Sequence, residues 1–489
     1  MRHYGGVSDP VLDSNVVAPT LADSTANAGA EFLGGPLGRR ARSSGSWLTP
    51  VRIVVLAALG AFIFGYFLKA PCLIRGWGGV TRYSHLCYSD IPPLYQLRGF
   101  AGGYFPYLQH APGAQPLEYP VLTGMFMLLA ASLTPAGASA ILWFYDVNVV
   151  LLGACLFVAV AATAMTVRRR PWDGLLVALA PGVFLAGMIN WDLLAVALTA
   201  VSMAAWARKH VALSGVFLGL AIAAKFYPVV LVFAVVLLCL RAGRLKSAAK
   251  WLAAVVATWL LVNAPFMILA PTGWAYFYKF SATRGQDFGS VWLALSIAGI
   301  QVPAKQLSMY LAAVLLVLFA AITVLTLNVR RRPRIAQVSF LVIAAFVLAN
   351  KVYSPQYVLW LIPFAALARP RWRDFLVWQL CEVGYFAAIW WYLVSLDAPT
   401  KGLPSGWYAV AIAVHIGGTV WFAGRVVRDM IKPEYDPVRA DGLADDADDP
   451  GGGVLDGALD HFVLPLFRKH VRVSQVDSDV DVDDDRSMV

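Results

Sequence analysis

YLAAVLLVLFAAITVLTL, residues 310–327, runs for eighteen positions without a charge. Coiled as an α-helix it reaches about 27 Å, close to the ~30 Å hydrocarbon core of a bilayer. VRIVVLAALGAFIFGYFL (51–68) and VLVFAVVLLCL (230–240) have the same character. None alternates polar with apolar residues, as the strands of a membrane barrel do. The whole chain agrees: 489 residues, 59% hydrophobic, 14% charged, mean hydropathy +0.65. Such a composition does not pack as a soluble domain and predicts an all-α polytopic membrane protein of roughly 11 to 14 spans.

The net charge of +10 is unevenly spread. Residues 51–428 hold 29 Lys and Arg against nine acids, while most other acids sit in RADGLADDADDPGGG (439–453) and VDSDVDVDDDRSMV (476–489). Residues 429–489 therefore read as an acidic, mostly disordered tail, in which LDHFVLPLFRKHVRV (459–473) has the pattern of a short surface-seeking amphipathic piece. Residues 1–46, rich in Ala, Gly, Ser and Asp, have no apolar h-region and read as a second disordered tail. Between the tails, residues 47–428 form the transmembrane domain, with a long loop at 70–118.

Orientation follows from the basic clusters, because Lys and Arg are retained on the cytoplasmic side. Arg39, Arg40 and Arg42 precede the first span, and clusters recur at 168–170, 207–210, 241–250, 330–334, 368–373 and 425–428. With these inside, both termini are cytoplasmic in a multi-pass protein of the cell membrane. The opposite, extracytoplasmic face receives INWD (189–192), KFYP (225–228), NKVYSPQY (350–357), SLDAPTKG (395–402) and the loop 270–290. One interval breaks the parity: 119–135 and 139–167 both look like spans, and counting both puts Arg168–Arg170 outside. Either 119–135 is short or re-entrant, or those arginines violate the rule.

The acids act as a filter for chemistry on the outer face. Asp173 and Asp374 adjoin cytoplasmic arginines, and Asp146 and Glu382 fall within apolar runs, leaving Asp90, Glu118, Asp192, Asp287 and Asp397. Asp90 lies in LCYSDIPPLYQLRGF (86–100), in the first outer loop and eight residues before Arg98. Its alternative is a helix N-cap or turn residue, for which SD before IPPLY is a fair match. Cys72 and Cys87 are the only two of five cysteines outside the apolar spans, in a loop placed on the oxidising side. They are expected to form a disulfide that holds the loop ahead of Asp90, or else to be small packed residues.

LEYPVLTG (117–124), INWDLLAVAL (189–198), GLAIAAKFYPVVLV (219–232), TRGQDFGSVW (283–292) and KVYSPQYVLWLIP (351–363) follow in order after that acidic loop. With these motifs the chain resembles the GT-C glycosyltransferases. More narrowly, it resembles the actinobacterial polyprenyl-phosphate-mannose-dependent α-mannosyltransferases of glycosyltransferase family 87 (DUF2029). The resemblance covers about residues 50 to 425 and departs at INW (189–191), where the family carries an NGQ-type pattern. It implies a GT-C-like bundle, a polyprenyl-phosphate sugar donor, a glycan or glycolipid acceptor, and an inverting transfer with Asp90 as general base.

The residues suit that chemistry, because a sugar on a polyprenyl phosphate already carries a leaving group and needs no nucleotide pocket. A carboxylate must take the acceptor's proton while cations meet the departing phosphate. Lys225, Arg284 and Lys351, with Arg98, are the candidate cations; their alternative is snorkelling to lipid headgroups. Tyr119, Trp191, Tyr227, Tyr353 and Tyr357 flank them, with Glu118, Asp192, Asp287 and Gln356 in the same motifs, as candidate substrate contacts. The alternative for the aromatics is the interfacial belt. No His, Cys or Asp cluster has metal-ligand spacing, so no metal or cofactor is expected, and the other partners are membrane lipids rather than nucleic acid. Two further classes stay open. A lipid or glycan transporter would show paired interrupted helices or a repeat, which is not found, and an oligosaccharyl or O-antigen-type ligase would carry a larger outer domain.

Overall fold

A computed structural model describes residues 16–18, 23–38, 47–109, 112–440 and 448–464. Among them, α- and 3-10 helices are present and no strand. This is what a lipid environment selects, since a helix satisfies its backbone polar groups within itself. Five helices are long and apolar enough to cross a membrane: Pro50–Phe67, Ala140–Thr166, Leu245–Leu269, Ala304–Asn328 and Ser405–Ile431. Shorter apolar helices, among them Asp192–Ala207, Val211–Ala224 and Ile335–Ala349, pack between them. Trp372–Asp397 is as long as a span but carries Asp374 and Glu382.

Small residues let these helices approach, as lipid supplies no hydrophobic drive to bring them together. GVFLG (215–219) lies against Leu245–Leu269, where a Cβ at Gly219 would fall 2.6 Å from the Val255 carbonyl oxygen and one at Gly215 would collide with that of Trp251.

The bundle has two distinct ends, and several helices run between them. Asp192–Ala207 starts beside Lys225 and ends at Trp206, whose indole donates to the Gly452 carbonyl at 2.8 Å. Ile335–Ala349 starts at Arg334 and leads to Lys351. At the arginine end, Arg334 pairs with Asp436 at 2.8 Å and donates to the Leu367 and Ala368 carbonyls at 2.8 and 2.7 Å. It thereby caps the C-terminus of Val358–Ala368, where orphan carbonyls and the helix dipole favour a cation. Arg241 repeats the device on Ala304–Asn328, donating to the Thr326 and Val329 carbonyls while pairing with Asp460 at 2.6 Å. Arg369 lies between Asp374 and Asp429.

Part of what reads as disordered tail is therefore placed. Residues 429–440 and 448–464 fold back along the arginine end, with Asp429, Asp436 and Asp449 buried. Guanidinium groups partner Asp429 and Asp436, and the Ile335 amide donates to Asp449 at 2.8 Å. The remainder of 459–473 beyond residue 464, and the acidic 476–489, lie outside the described residues. Toward the N-terminus, Asp23 accepts from the Trp372 amide at 2.8 Å and precedes the helix Ser24–Gly38.

The parity conflict has a structural resolution. Val121–Ser132 has 12 residues, about 18 Å, too short to cross a ~30 Å core. Ala140–Thr166 then begins at the same end, where Asp146 accepts from Tyr66 at 2.9 Å and Asn148 from Trp191 at 2.7 Å. Arg170 consequently lies with the other arginines, 3.3 Å from the Pro437 carbonyl.

Candidate active site

The loop after Pro50–Phe67 is tied down before it reaches Asp90. Cys72 and Cys87 are joined by a disulfide, and Lys69, buried, donates to the Tyr88 carbonyl at 3.0 Å. With no carboxylate beside it, burial lowers the Lys69 pKa to about 7. Ser89 donates to the Met188 carbonyl at 2.8 Å and the Asp90 amide to that of Ile189 at 2.8 Å, fixing the loop to the turn before Asp192–Ala207.

Asp90 immediately precedes the short helix Ile91–Leu97, but its side chain makes no capping bond. Ser89 accepts from the Ile91 amide instead, at 3.2 Å, which leaves the Asp90 carboxylate for other partners. Tyr88 donates to its Oδ1 at 2.6 Å and Asn190 to its Oδ2 at 2.8 Å. Burial raises the Asp90 pKa, opposed by these two hydrogen bonds and by the Lys225 charge. The Asp90 charge and burial keep the Tyr88 phenol protonated, so it remains a donor.

Asn190 is the hub of this group. Its amide nitrogen also donates to the Tyr119 hydroxyl at 2.6 Å, and its oxygen accepts from Lys225 Nζ at 3.2 Å. Lys225 pairs with Asp192 at 3.2 Å and lies 5.2 Å from the centre of the Tyr119 ring. Asp192, fully buried, also accepts from the Trp360 indole at 2.7 Å.

A second group forms where the loop 284–290 meets residues 350–357. The Asp287 amide donates to the Lys351 carbonyl at 2.8 Å and the Tyr353 amide to that of Phe288 at 3.0 Å. Gly289 sits between them at φ 76°, and a Cβ there would strike the Tyr353 carbonyl, so glycine is required. Arg284 forms an ion pair with Asp287. Lys351, buried, donates to the Ala282 carbonyl at 2.8 Å; burial lowers its pKa. Tyr357 joins the two groups, feeling the charges of Arg284, Asp192, Asp287 and Asp90.

The structure thus gathers Asp90, Tyr119, Lys225, Asp192, Arg284, Asp287, Lys351 and Tyr357 at one end of the bundle. Other sequence candidates serve different ends. Arg98 and Glu118 hold each other in a bidentate pair at 2.6 Å, with Gln115 on the same guanidinium. Trp191, Tyr227 and Tyr353 are buried: Trp191 bonds Asn148, Tyr227 stacks on Trp360 at 4.3 Å, and Tyr353 meets Thr419 at 3.1 Å. These rings are packing rather than presented faces. Gln356 is buried in the turn Pro355–Tyr357. Sequence reasoning missed Asn190 and Tyr88 as partners of Asp90, although an Asn directly before Trp-Asp at a helix start in so apolar a chain was a usable signal. Among the described residues, no group of three or more His, Cys, Asp or Glu side chains is arranged to hold a metal ion.

Phe226, the residue after Lys225, opens onto an apolar groove of about 1050 Å3. It lies between Val211–Ala224, Val230–Arg241, Leu245–Leu269 and Ala304–Asn328, with Trp274 and Tyr278 on its wall.

Bundle, groove and carboxylate–cation site belong to a polytopic membrane protein. Residues 117–350, a little under half of the chain, match glycosyltransferase family 87, and the match supports a membrane glycosyltransferase. No curated protein matches the chain. The matched segment begins after Asp90 and stops just before Lys351.

Proposed function

We propose that the enzyme transfers a hexose, mannose by family resemblance, from a polyprenyl-phosphate donor to a lipid-linked or cell-envelope glycan on the extracytoplasmic face, with inversion at the anomeric carbon. The observation that carries this reading is Asp90: a largely buried carboxylate in a stapled loop, clear of its own helix N-terminus and held by Tyr88 and Asn190. In the reaction Asp90 accepts the proton of the acceptor hydroxyl. The hydroxyl oxygen bonds to the anomeric carbon as the bond to the phosphate oxygen breaks. Polyprenyl phosphate leaves with the electron pair, and its charge is met by Lys351 and Arg284, with Lys225 nearby. A raised pKa makes Asp90 a stronger base than an ordinary aspartate. The groove beside Phe226 supports a polyprenyl donor, since a long isoprenoid chain needs an apolar path and Phe226 on its lining directly follows Lys225.

The test is transfer of label from a radiolabelled polyprenyl-phosphate mannose to lipid or glycan acceptors in membranes containing the chain. Wild type is expected to transfer and Asp90→Asn is not. An Asp90→Ala enzyme that keeps near-normal turnover while Asp192→Ala or Asp287→Ala fails would overturn the assignment of the base.

A further inference from the structure

The arginine end of the bundle contains a cavity of about 470 Å3, remote from the Asp90 group. Arg168, Arg169, Arg208, Lys209, Arg331 and Arg439 contribute to its lining, against a single acid, Asp456, which accepts from the Asp449 amide at 2.8 Å. Some of these cations are already engaged: Arg331 with Asp448 at 2.6 Å, and Arg208 with the Ala204 and Met165 carbonyls at 2.8 and 3.1 Å. Arg168 and Lys209 are exposed and meet no acid among the described residues. Arg439 is the informative one. Its side chain is only 2% exposed, yet Nη1 has no hydrogen-bond partner. A buried guanidinium nitrogen without an acceptor is costly and points to a missing anionic oxygen. Burial and the nearby Arg334 charge accordingly lower the Arg439 pKa to about 10.

We propose that this basic cavity is a docking site for an extended acidic peptide, and that its occupant is the chain's own segment DSDVDVDDD, residues 477–485. Three observations favour this occupant. Earlier acids of the same tail already settle arginines at this end, Asp436 on Arg334 and Asp460 on Arg241 and Arg332. The spacing fits as well: in extended backbone, alternate residues share a face, so Asp477, Asp479, Asp481 and Asp483 would form one acidic edge with Val480 and Val482 opposite. The reach is also sufficient. The Leu464 amide donates to the Leu327 carbonyl at 2.9 Å, and Arg331, four residues on, is at most about 15 Å away, whereas the chain from Leu464 to Asp477 spans up to about 45 Å. Tethering supplies an effective concentration near the millimolar range.

The experiment uses the purified full chain, a variant ending at Gln475, and a full-length variant with the six aspartates of 477–485 changed to Asn. Trypsin cleavage after Arg168 and Lys209 and hydrogen exchange across 165–170 and 207–211 are followed at low and high salt. The full chain is expected to be cleaved about tenfold more slowly than either variant, with the difference vanishing at high salt. A synthetic 475–489 peptide added to the truncated protein should restore protection, and should fail to do so when Arg168→Glu and Lys209→Glu are combined, a variant read by hydrogen exchange because it lacks both cleavage sites. Equal cleavage and exchange in all three proteins would overturn the proposal. So would protection that appears only on addition of anionic-lipid nanodiscs and equally with and without the tail, which would assign the cavity to a lipid headgroup.

Discussion

At the end of the bundle that carries Arg241, Arg332, Arg334 and Arg369, each of these arginines meets an aspartate. At the other end, Lys351 has a carbonyl, and Asp90 a phenol and an amide. The difference separates two uses of buried charge. A matched pair that also caps helix termini holds elements together and leaves neither partner available for reaction. A carboxylate solvated by neutral donors, near cations but not bonded to them, keeps its basicity. Lys225 and Arg284 are intermediate, since Asp192 and Asp287 already pair with them.

If this contrast is right, removing charge at the two ends should fail in different assays. The largest effect is expected from Asp90→Asn: transfer should drop by about 10^2 to 10^4-fold, the range for losing a general base, with folding and membrane insertion intact. Loss of the folded protein instead of the rate would make Asp90 a structural residue like those at the arginine end.

Next comes Arg334→Met, which leaves Asp436 buried without its partner. Breaking one side of such a pair costs about 3–5 kcal/mol, so the variant should lose thermal stability and yield, while turnover per folded molecule stays near wild type. Burial raises the Asp436 pKa, but the Arg334 charge and hydrogen bonds prevail and hold it below the ordinary carboxylate value. The stabilisation from this pair is therefore complete above the unfolded aspartate's pKa and is lost as pH falls through the folded one. Thermal melts on the acid side should show that loss in wild type and lack it in Asp436→Asn; parallel profiles would mean the pair contributes nothing net.

A smaller effect separates the two lysines. Lys351→Ala should weaken donor binding by about 10 to 100-fold, the worth of a charged hydrogen bond, and Lys225→Ala by less, because Asp192 already neutralises that lysine. Titration with labelled donor decides it, and equal affinity in both variants and wild type would return these lysines to the snorkelling reading.

Some of this was legible in the chain. Runs such as 310–327 read as membrane helices, and the arginine clusters collect at one end of the bundle. Asp90 stood out because so few acids occupy the transmembrane domain. The tail was not legible, since a segment as acidic as RADGLADDADDPGGG reads as solvated by composition, and nothing local shows that its Asp448 has a partner 117 residues away. Aromatics failed for a related reason: Trp191, Tyr227 and Tyr357 look alike in sequence whether they face lipid, sugar or core, and their stacking on Trp360 or bonding to Asn148 is decided by packing.

The smallest effect tests the residue that sequence reading passed over. Asn190 donates to Asp90 Oδ2 and so favours the charged carboxylate. Asn190→Ala removes that bond, and the Asp90 pKa, already raised by burial, should rise further. A general base works only when deprotonated, so the acid limb of the transfer rate should move to higher pH, while the rate well above it falls only modestly. A purely structural role for Asn190 predicts another outcome: a uniform loss at all pH values, from the ~1–3 kcal/mol cost of leaving Tyr119 and Lys225 without their shared partner, and no movement of the limb. The position of that limb in Asn190→Ala, compared with wild type on the same labelled donor, therefore reports whether the amide acts through Asp90 or only holds the turn in place.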